Sequence, residues 1–340
     1  GQVVHPQEWP DDLDYRGKQV VIIGSGATAM TLVPAMAPDV GHVTMLQRSP
    51  TYVVAAPDTD VVAIKLRKYL PDRLAYRLTR WKNVTLGELF FRATRRWPAK
   101  VRARLIKGVS DELGTDYADE HFKPAYNPWD QRLCLVPNGD LFESIKSGQA
   151  SVVTDEIDTF TETGVALRSG QHLDADIIVT ATGLEIVTLG EAEISMDGEP
   201  IDFSQTWSYM GVAYSDVPNL ATSFGYLRAS WTLRADLTCG FVCRLLNHMR
   251  ETGTTTCTPR LRPSDRDMPA RPWVEDFSAN YLQRVMDALP RQGDRAPWIN
   301  TQSYGKEKKL FARPVDDGVM QFTGSVSAAS GAPATELARS

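Results

Sequence analysis

Phosphate chemistry is the first thing the residue types suggest. Gly24-Ser25-Gly26-Ala27-Thr28-Ala29 is a GxGxxA turn. Where such a turn joins a strand to a helix, the first N–H groups of the helix and its dipole favour an anion. Gly24 is the residue for the tight turn, and Gly26 clears room for a pyrophosphate to approach the backbone. Further on, Arg48-Ser49 stands where a site for NAD places Asp or Glu to accept from the ribose 2′-hydroxyl. A guanidinium there suits a 2′-phosphate instead, in a fork geometry that no carboxylate would tolerate. The pair reads as a site for NADPH rather than NADH. A glycine turn that binds nothing and a solvated surface arginine are the competing readings.

These residues require a particular frame. Residues 18 to 48 read as strand, glycine turn, helix, strand: QVVIIG and VTMLQR are short apolar runs, and Ala29, Leu32, Val33 and Met36 recur at helical spacing between them. From about 60 to 110, apolar and basic residues alternate in a helical rhythm broken at Pro71. A polar loop, YNPWDQRLCLVPNGD, contains a short strand-like RLCLV, and DIIVTATG closes a block of strands with a buried, parallel-type run. After residue 184 the pattern loosens. DLTCGFVCRLLNHMRE predicts a helix with Leu237, Phe241, Leu245 and Met249 on its apolar face, and SANYLQRVMDALP a second helix. The small, polar residues 324–340 predict a disordered tail. No internal repeat is present.

At 340 residues and 42 % apolar composition the chain suits two domains. A net charge of −5 argues against a nucleic-acid binder. The charge is unevenly spread. Residues 61–107 hold 14 Lys/Arg against Asp72 and Glu88, a local +12, which leaves −17 on the remainder. The helical segment's solvated face accounts for such a stretch, and a nucleic-acid or anionic-membrane face is the alternative. No run of about 18 apolar residues is present to span a bilayer, so the default compartment is the cytosol, with peripheral membrane contact left open. Cys134, Cys239, Cys243 and Cys257 form no CxxC pair, and the five histidines have no ligand spacing, so no metal site is expected.

The opening residues, Gly1, His5 and Trp9-Pro10, lie just before the GxGxxA turn and resemble the Baeyer–Villiger monooxygenase fingerprint FxGxxxHxxxWP from its glycine onward. GSGATA, TMLQRSPTY, YNPWDQRLC, DIIVTATG and GYLRASWTL follow in order and resemble the EthA-like subgroup of that family, from Gly1 to about Gln302. The resemblance implies an α/β protein: a Rossmann-like NADPH-binding domain over 16–175 with a helical insertion at about 60–110, and the C-terminal part of an FAD-binding domain over 176–323. Residues 1–15 would be the fingerprint linker. The family's first GxGxxG, for the ADP half of FAD, is absent from these 340 residues, so the chain reads as N-terminally truncated and inactive alone.

The resemblance further implies an FAD- and NADPH-dependent enzyme that uses O2, through a C4a-peroxyflavin, to turn ketones into esters or lactones or to oxidise soft sulfur such as thioamides. Arg132 in YNPWDQRLC matches the catalytic arginine of the family, a charge that does not titrate when desolvated. Gln131, Thr182, Gly183, Trp231 and Thr232 are expected beside the cofactors, and Tyr126, Trp129 and Trp231 either line the substrate cavity or pack in the core. His5 couples domain movement or packs structurally. An S- or N-oxygenating flavin monooxygenase and a noncatalytic NADP-binding module remain as alternatives.

Overall fold

The computed structural model describes residues 1–131, 133–227, 229–275 and 280–325. The chain divides into two compact units. The first comprises Gly1–Val187 with Phe277–Gln283, and the second Thr188–Asp276 with Arg284–Ser340.

The first unit runs β1 (Gln2–Val4), β2 (Gln19–Ile23), α1 (Ala27–Met36), β3 (His42–Gln47), β4 (Val53–Ala56), α2 (Val61–Tyr69), α3 (Asp72–Arg96), α4 (Pro98–Leu113) and α5 (Thr115–His121). It continues with β5 (Cys134–Pro137), α6 (Asp140–Lys146), β6 (Ala150–Thr154), β7 (Ile157–Phe160), β8 (Gly164–Leu167), β9 (His172–Asp174) and β10 (Ile177–Thr180). Its centre is a parallel sheet in the order β1-β10-β2-β3-β6.

The near-continuous apolar run of β2 follows from burial on both sides. Val20 and Ile22 join a core with Ala29, Met30, Val33 and Met36 of α1 and with Leu141 and Phe142 of α6. Val21 and Ile23 face the other way, onto Val165, Leu167 and Leu173 of the β7–β8–β9 meander. The helical excursion is anchored to the first core by Val109 of α4, Ala118 of α5 and Phe122.

β1 and β10 are sheet strands hydrogen-bonded to each other, and the compact unit that holds the sheet runs from Gly1 to Val187. The helical expectation needs correction. The excursion is interrupted at Trp97 as well as Pro71, where Pro98 cannot donate to a continuing helix, and it reaches His121.

The second unit contains the hairpins β11 (Ser195–Met196) with β12 (Glu199–Pro200) and β13 (Ser208–Tyr209) with β14 (Ala213–Tyr214). The helix α7 (Trp231–Thr252) and β15 (Thr256–Pro259) come next. Phe241, Leu245 and Met249 of α7 pack, as their spacing predicts, with Tyr209 and Trp298, and Leu237 is half-buried beside them. A long helix over SANYLQRVMDALP is not found. Among the described residues it is reduced to α8 (Asn280–Gln283), which belongs to the first unit, and a single 3-10 turn at Met286–Ala288 in the second. Val285 leaves the helical region with ψ near 0°, which stops the run. α9 (Tyr304–Phe311) and β16 (Met320–Thr323) complete the unit. The expected tail lies, from residue 326, outside the described residues.

Candidate dinucleotide site

The carboxyl ends of β10, β2 and β3 lie side by side at one edge of the parallel sheet. The chain passes from β2 to β3 on one side, while β10 pairs on the other, so the edge beyond β2 is a topological switch point, where open α/β sheets bind ligands. The glycine turn leaves the sheet there.

Gly24 has φ +135° and donates to the Leu46 carbonyl at 2.8 Å. A Cβ at this position would stand 2.3 Å from the Ala181 carbonyl oxygen, so only glycine fits. Gly26 serves a different purpose. It is the N-cap of α1, no side chain caps the helix, and a Cβ added to it would meet nothing within 4 Å. The first helical bond is Met30 N–H to the Gly26 carbonyl, at 3.0 Å, which leaves the N–H groups of Ala27, Thr28 and Ala29 without helical acceptors. An open, positive helix end faces the switch point.

Arg48 is exposed and has no hydrogen-bond or ion-pair partner among the described residues. Its outward direction is imposed by its neighbour. Gln47 is buried, and its side-chain amide donates to the His121 carbonyl at 2.7 Å and to Thr154 Oγ1 at 2.9 Å, so the next residue leaves the end of β3 toward solvent. Ser49 offers its carbonyl to Ser25 Oγ at 3.1 Å, which ties the arginine segment to the glycine turn.

The loop of YNPWDQRLC closes on the same place. Thr51 and Tyr126 share a hydroxyl hydrogen bond of 2.9 Å, and Tyr52 Oη donates to the Tyr126 carbonyl at 2.6 Å. Burial pushes both phenols above their ordinary pKa, so they stay neutral donors. Arg95 of α3 reaches Asp130 at 2.9 Å and the Trp129 carbonyl at 3.3 Å. Trp129 meets the Phe91 ring edge-on, its centroid 6.3 Å away, while Gln131 is exposed and bridges to Pro128. Arg132 lies outside the described residues.

Of the fingerprint residues, His5 reaches this edge, just past the end of β1. His5 accepts from Gln7 N–H on Nδ1, so its Nε2–H donates to the Gly183 carbonyl at 3.3 Å. Gln7 then grips the next residue but one at both ends: its amide donates to the Glu185 carbonyl at 3.0 Å and accepts from the Glu185 N–H at 2.7 Å. Gly183 carries φ +124°, a conformation suited to glycine, and Thr182 beside it is exposed. Trp9 packs on the core and against Tyr15, with Pro10 following, and Gly1 rests against the Asp176 carbonyl. Gln7, Gln47, Thr51 and Tyr52 were not singled out from the sequence. An exposed glutamine carries no pattern, and a buried one at a strand end reads as surface.

Trp231 and Thr232 belong to the second unit and open α7 there. The Trp231 ring lies on Gly225, where a Cβ would fall 2.0 Å from it, and Thr232 shares a 2.7 Å hydroxyl contact with Ser230. A cavity of about 650 Å³ exists elsewhere in the first unit, at the amino ends of β1, β2 and β10. Asp14, Glu162, Asp174 and Asp176 line it. Its acidic walls would repel a nucleotide, and the open edge at Gly26 suits one better. No group of three or more His, Cys, Asp or Glu among the described residues is arranged to hold a metal ion.

No protein-family model matches the chain. Individual proteins do. FAD-containing monooxygenase EthA of Mycolicibacterium smegmatis is 46 % identical over 336 residues, which cover 97 % of this chain and 68 % of that protein. The chain belongs to the FAD-containing monooxygenase family. EthA of Mycobacterium tuberculosis is 49 % identical over 326 residues, covering 95 % of this chain and 66 % of its own length. The probable FAD-binding monooxygenase AlmA of Acinetobacter baylyi is 48 % identical over 324 residues, with 95 % and 65 % covered. The chain thus spans about two-thirds of the length of these FAD-containing monooxygenases. Among solved structures, an oxidised steroid monooxygenase bound to NADP superposes with a TM-score of 0.68 at 18 % identity, over 95 % of this chain and 70 % of that one. The open structure of cyclohexanone monooxygenase gives 0.65 at 16 %. The fold is that of these monooxygenases.

Proposed function

We propose that the edge at Gly24–Ala29 and Arg48 binds NADPH, and that the protein is an FAD- and NADPH-dependent monooxygenase acting on small ketones or soft sulfur. The observation that carries the nucleotide reading is the pairing of an uncapped, unobstructed helix end at Gly26 with an Arg48 that has no partner among the described residues. The N–H groups of Ala27 to Ala29 would hold the pyrophosphate, and Arg48, with Ser49, the 2′-phosphate. When bound, NADPH supplies a hydride and FAD the activation of O2, neither of which side chains provide. That the relatives are named FAD-containing monooxygenases, and that a neighbour of the same fold is described with NADP bound, supports the assignment.

The remaining roles follow from position. The His5 and Gln7 bonds hold the segment from Gly183 to Glu185 in place beside the glycine turn. Arg132 is assigned, by its place in YNPWDQRLC, the fixed positive charge beside the reacting oxygen, with Gln131 next to it. Thr182, Gly183, Trp231 and Thr232 are assigned to cofactor contact on the same grounds. Localisation in the cytosol and the division into NADPH and FAD domains belong to this reading.

The test is steady-state kinetics on the full-length enzyme with a simple ketone. Arg48→Glu should weaken use of NADPH by about 10- to 100-fold, the loss of one charge-assisted bond plus repulsion, and leave NADH nearly unchanged. Ester should be the product, and Arg132→Ala should abolish it while FAD content stays intact. Equal losses for both nucleotides would contradict the nucleotide assignment. Ester formation by Arg132→Ala at the wild-type rate would remove the catalytic role.

A further inference from the structure

The α2–α3 hairpin buries almost nothing. α2 has no buried residue, and α3, 25 residues long, buries only Ala75 and Thr94. A helix this exposed should be polar all round. Instead Leu74, Leu78, Trp81 and Leu89, which are 43, 38, 68 and 54 % exposed, recur at spacings of one helical stripe that no described residue covers. α2 adds Val61 and Ile64, exposed at i and i+3, and Tyr69, 74 % exposed, at its end. Exposed lysines and arginines surround these residues. Lys65, Arg67, Arg73, Arg77 and Lys100 have no carboxylate within ion-pair distance among the described residues.

We propose that this face of the hairpin docks on an anionic lipid surface. An interfacial helix carries an apolar stripe with cations beside it and aromatic rings at the boundary, and Trp81 and Tyr69 provide the rings. Residues 61–96 hold 10 Lys/Arg against Asp72 and Glu88, a local +8 that attracts the hairpin to negative headgroups. Nucleic acid would match the cations and leave Val61, Ile64, Leu74 and Leu78 without a purpose. A second copy packed hairpin to hairpin would set +8 against +8. The contact is peripheral, since no helix among the described residues is long and apolar enough to cross a membrane. This inference does not depend on the nucleotide site.

The experiment is co-sedimentation of the protein with vesicles of phosphatidylcholine alone and of phosphatidylcholine mixed with phosphatidylglycerol. Binding should appear with the mixed vesicles, fall as salt rises, and be weak on phosphatidylcholine. Leu78→Glu and Trp81→Glu, both at exposed positions, should each lower partitioning at least tenfold with an unchanged circular dichroism spectrum. Arg73→Gln and Arg77→Gln should cost about fivefold each, the effect of about 1 kcal/mol per charge. Equal binding to both vesicle types, or full binding by Trp81→Glu, would overturn the proposal. So would a dimer, seen by sedimentation velocity, that Trp81→Glu dissolves, or binding to duplex DNA in place of vesicles.

Discussion

Gly24 and Gly26 are two residues apart and are glycine for opposite reasons. Gly24 has backbone against it and a left-handed φ, so Gly24→Ala combines strain of about 1–3 kcal/mol with overpacking of similar size. A fall in melting temperature by several degrees, with nucleotide binding lost together with the fold, is the expected result of calorimetry on that variant. Gly26 has open space, and a side chain there should leave the fold alone. Both roles were legible in the spacing GxGxxA, because the motif itself is a statement about backbone approach. The Gln47 anchor was not, since its value comes from His121 and Thr154, which the fold supplies from far along the chain. His121 itself accounts for a pH effect. Desolvation by burial lowers its pKa, Glu120 opposing, so the unfolded chain binds the proton more readily. Stability should therefore be full above the ordinary imidazole range near 6.5 and decline as pH falls through it. Urea denaturation across that range checks this, and His121→Gln should flatten the slope.

At the scale of elements, the βαβ unit was the most readable part, because alternation between short β-branched runs and a 3.6-residue rhythm changes abruptly at the glycine turn. β10 was read correctly as a buried parallel strand, yet its place between β1 and β2 was not, since pairing partners leave no trace in a strand's own composition. The helical excursion was readable as helix and unreadable as surface: periodicity reports a face without saying what covers it. What holds α2 to α3 is Asp60, which accepts from the Ala63 N–H at 3.0 Å and from Lys82 Nζ at 2.6 Å. Lys82 and that N–H hold its carboxyl down to about 2. The contribution is thus present above the ordinary carboxylate pKa and lost as pH falls from about 4 toward 2. Hydrogen exchange should show α2 amides opening faster in Asp60→Ala than in Asp60→Asn, which keeps the cap and loses only the ion pair. Equal rates in the two variants would mean that the ion pair, and not the cap, orders α2.

For the whole molecule, five features scattered over the first 185 residues converge on one sheet edge: His5 of the fingerprint, the glycine turn, Arg48-Ser49, the Tyr126 loop and the Thr182-Gly183 exit from β10. Among the described residues, a helix end without a cap and an arginine without a partner serve no structural end there, and a phosphorylated dinucleotide would satisfy both. The most direct measurement is calorimetric titration of the chain with NADP⁺ and NAD⁺, repeated on Gly26→Val. NADP⁺ should bind at least tenfold more tightly than NAD⁺, the effect of one charge-assisted phosphate contact, and Gly26→Val should lose that binding with its melting temperature unchanged. Equal affinities, or NADP⁺ binding that survives Gly26→Val, would contradict a dinucleotide site at this edge.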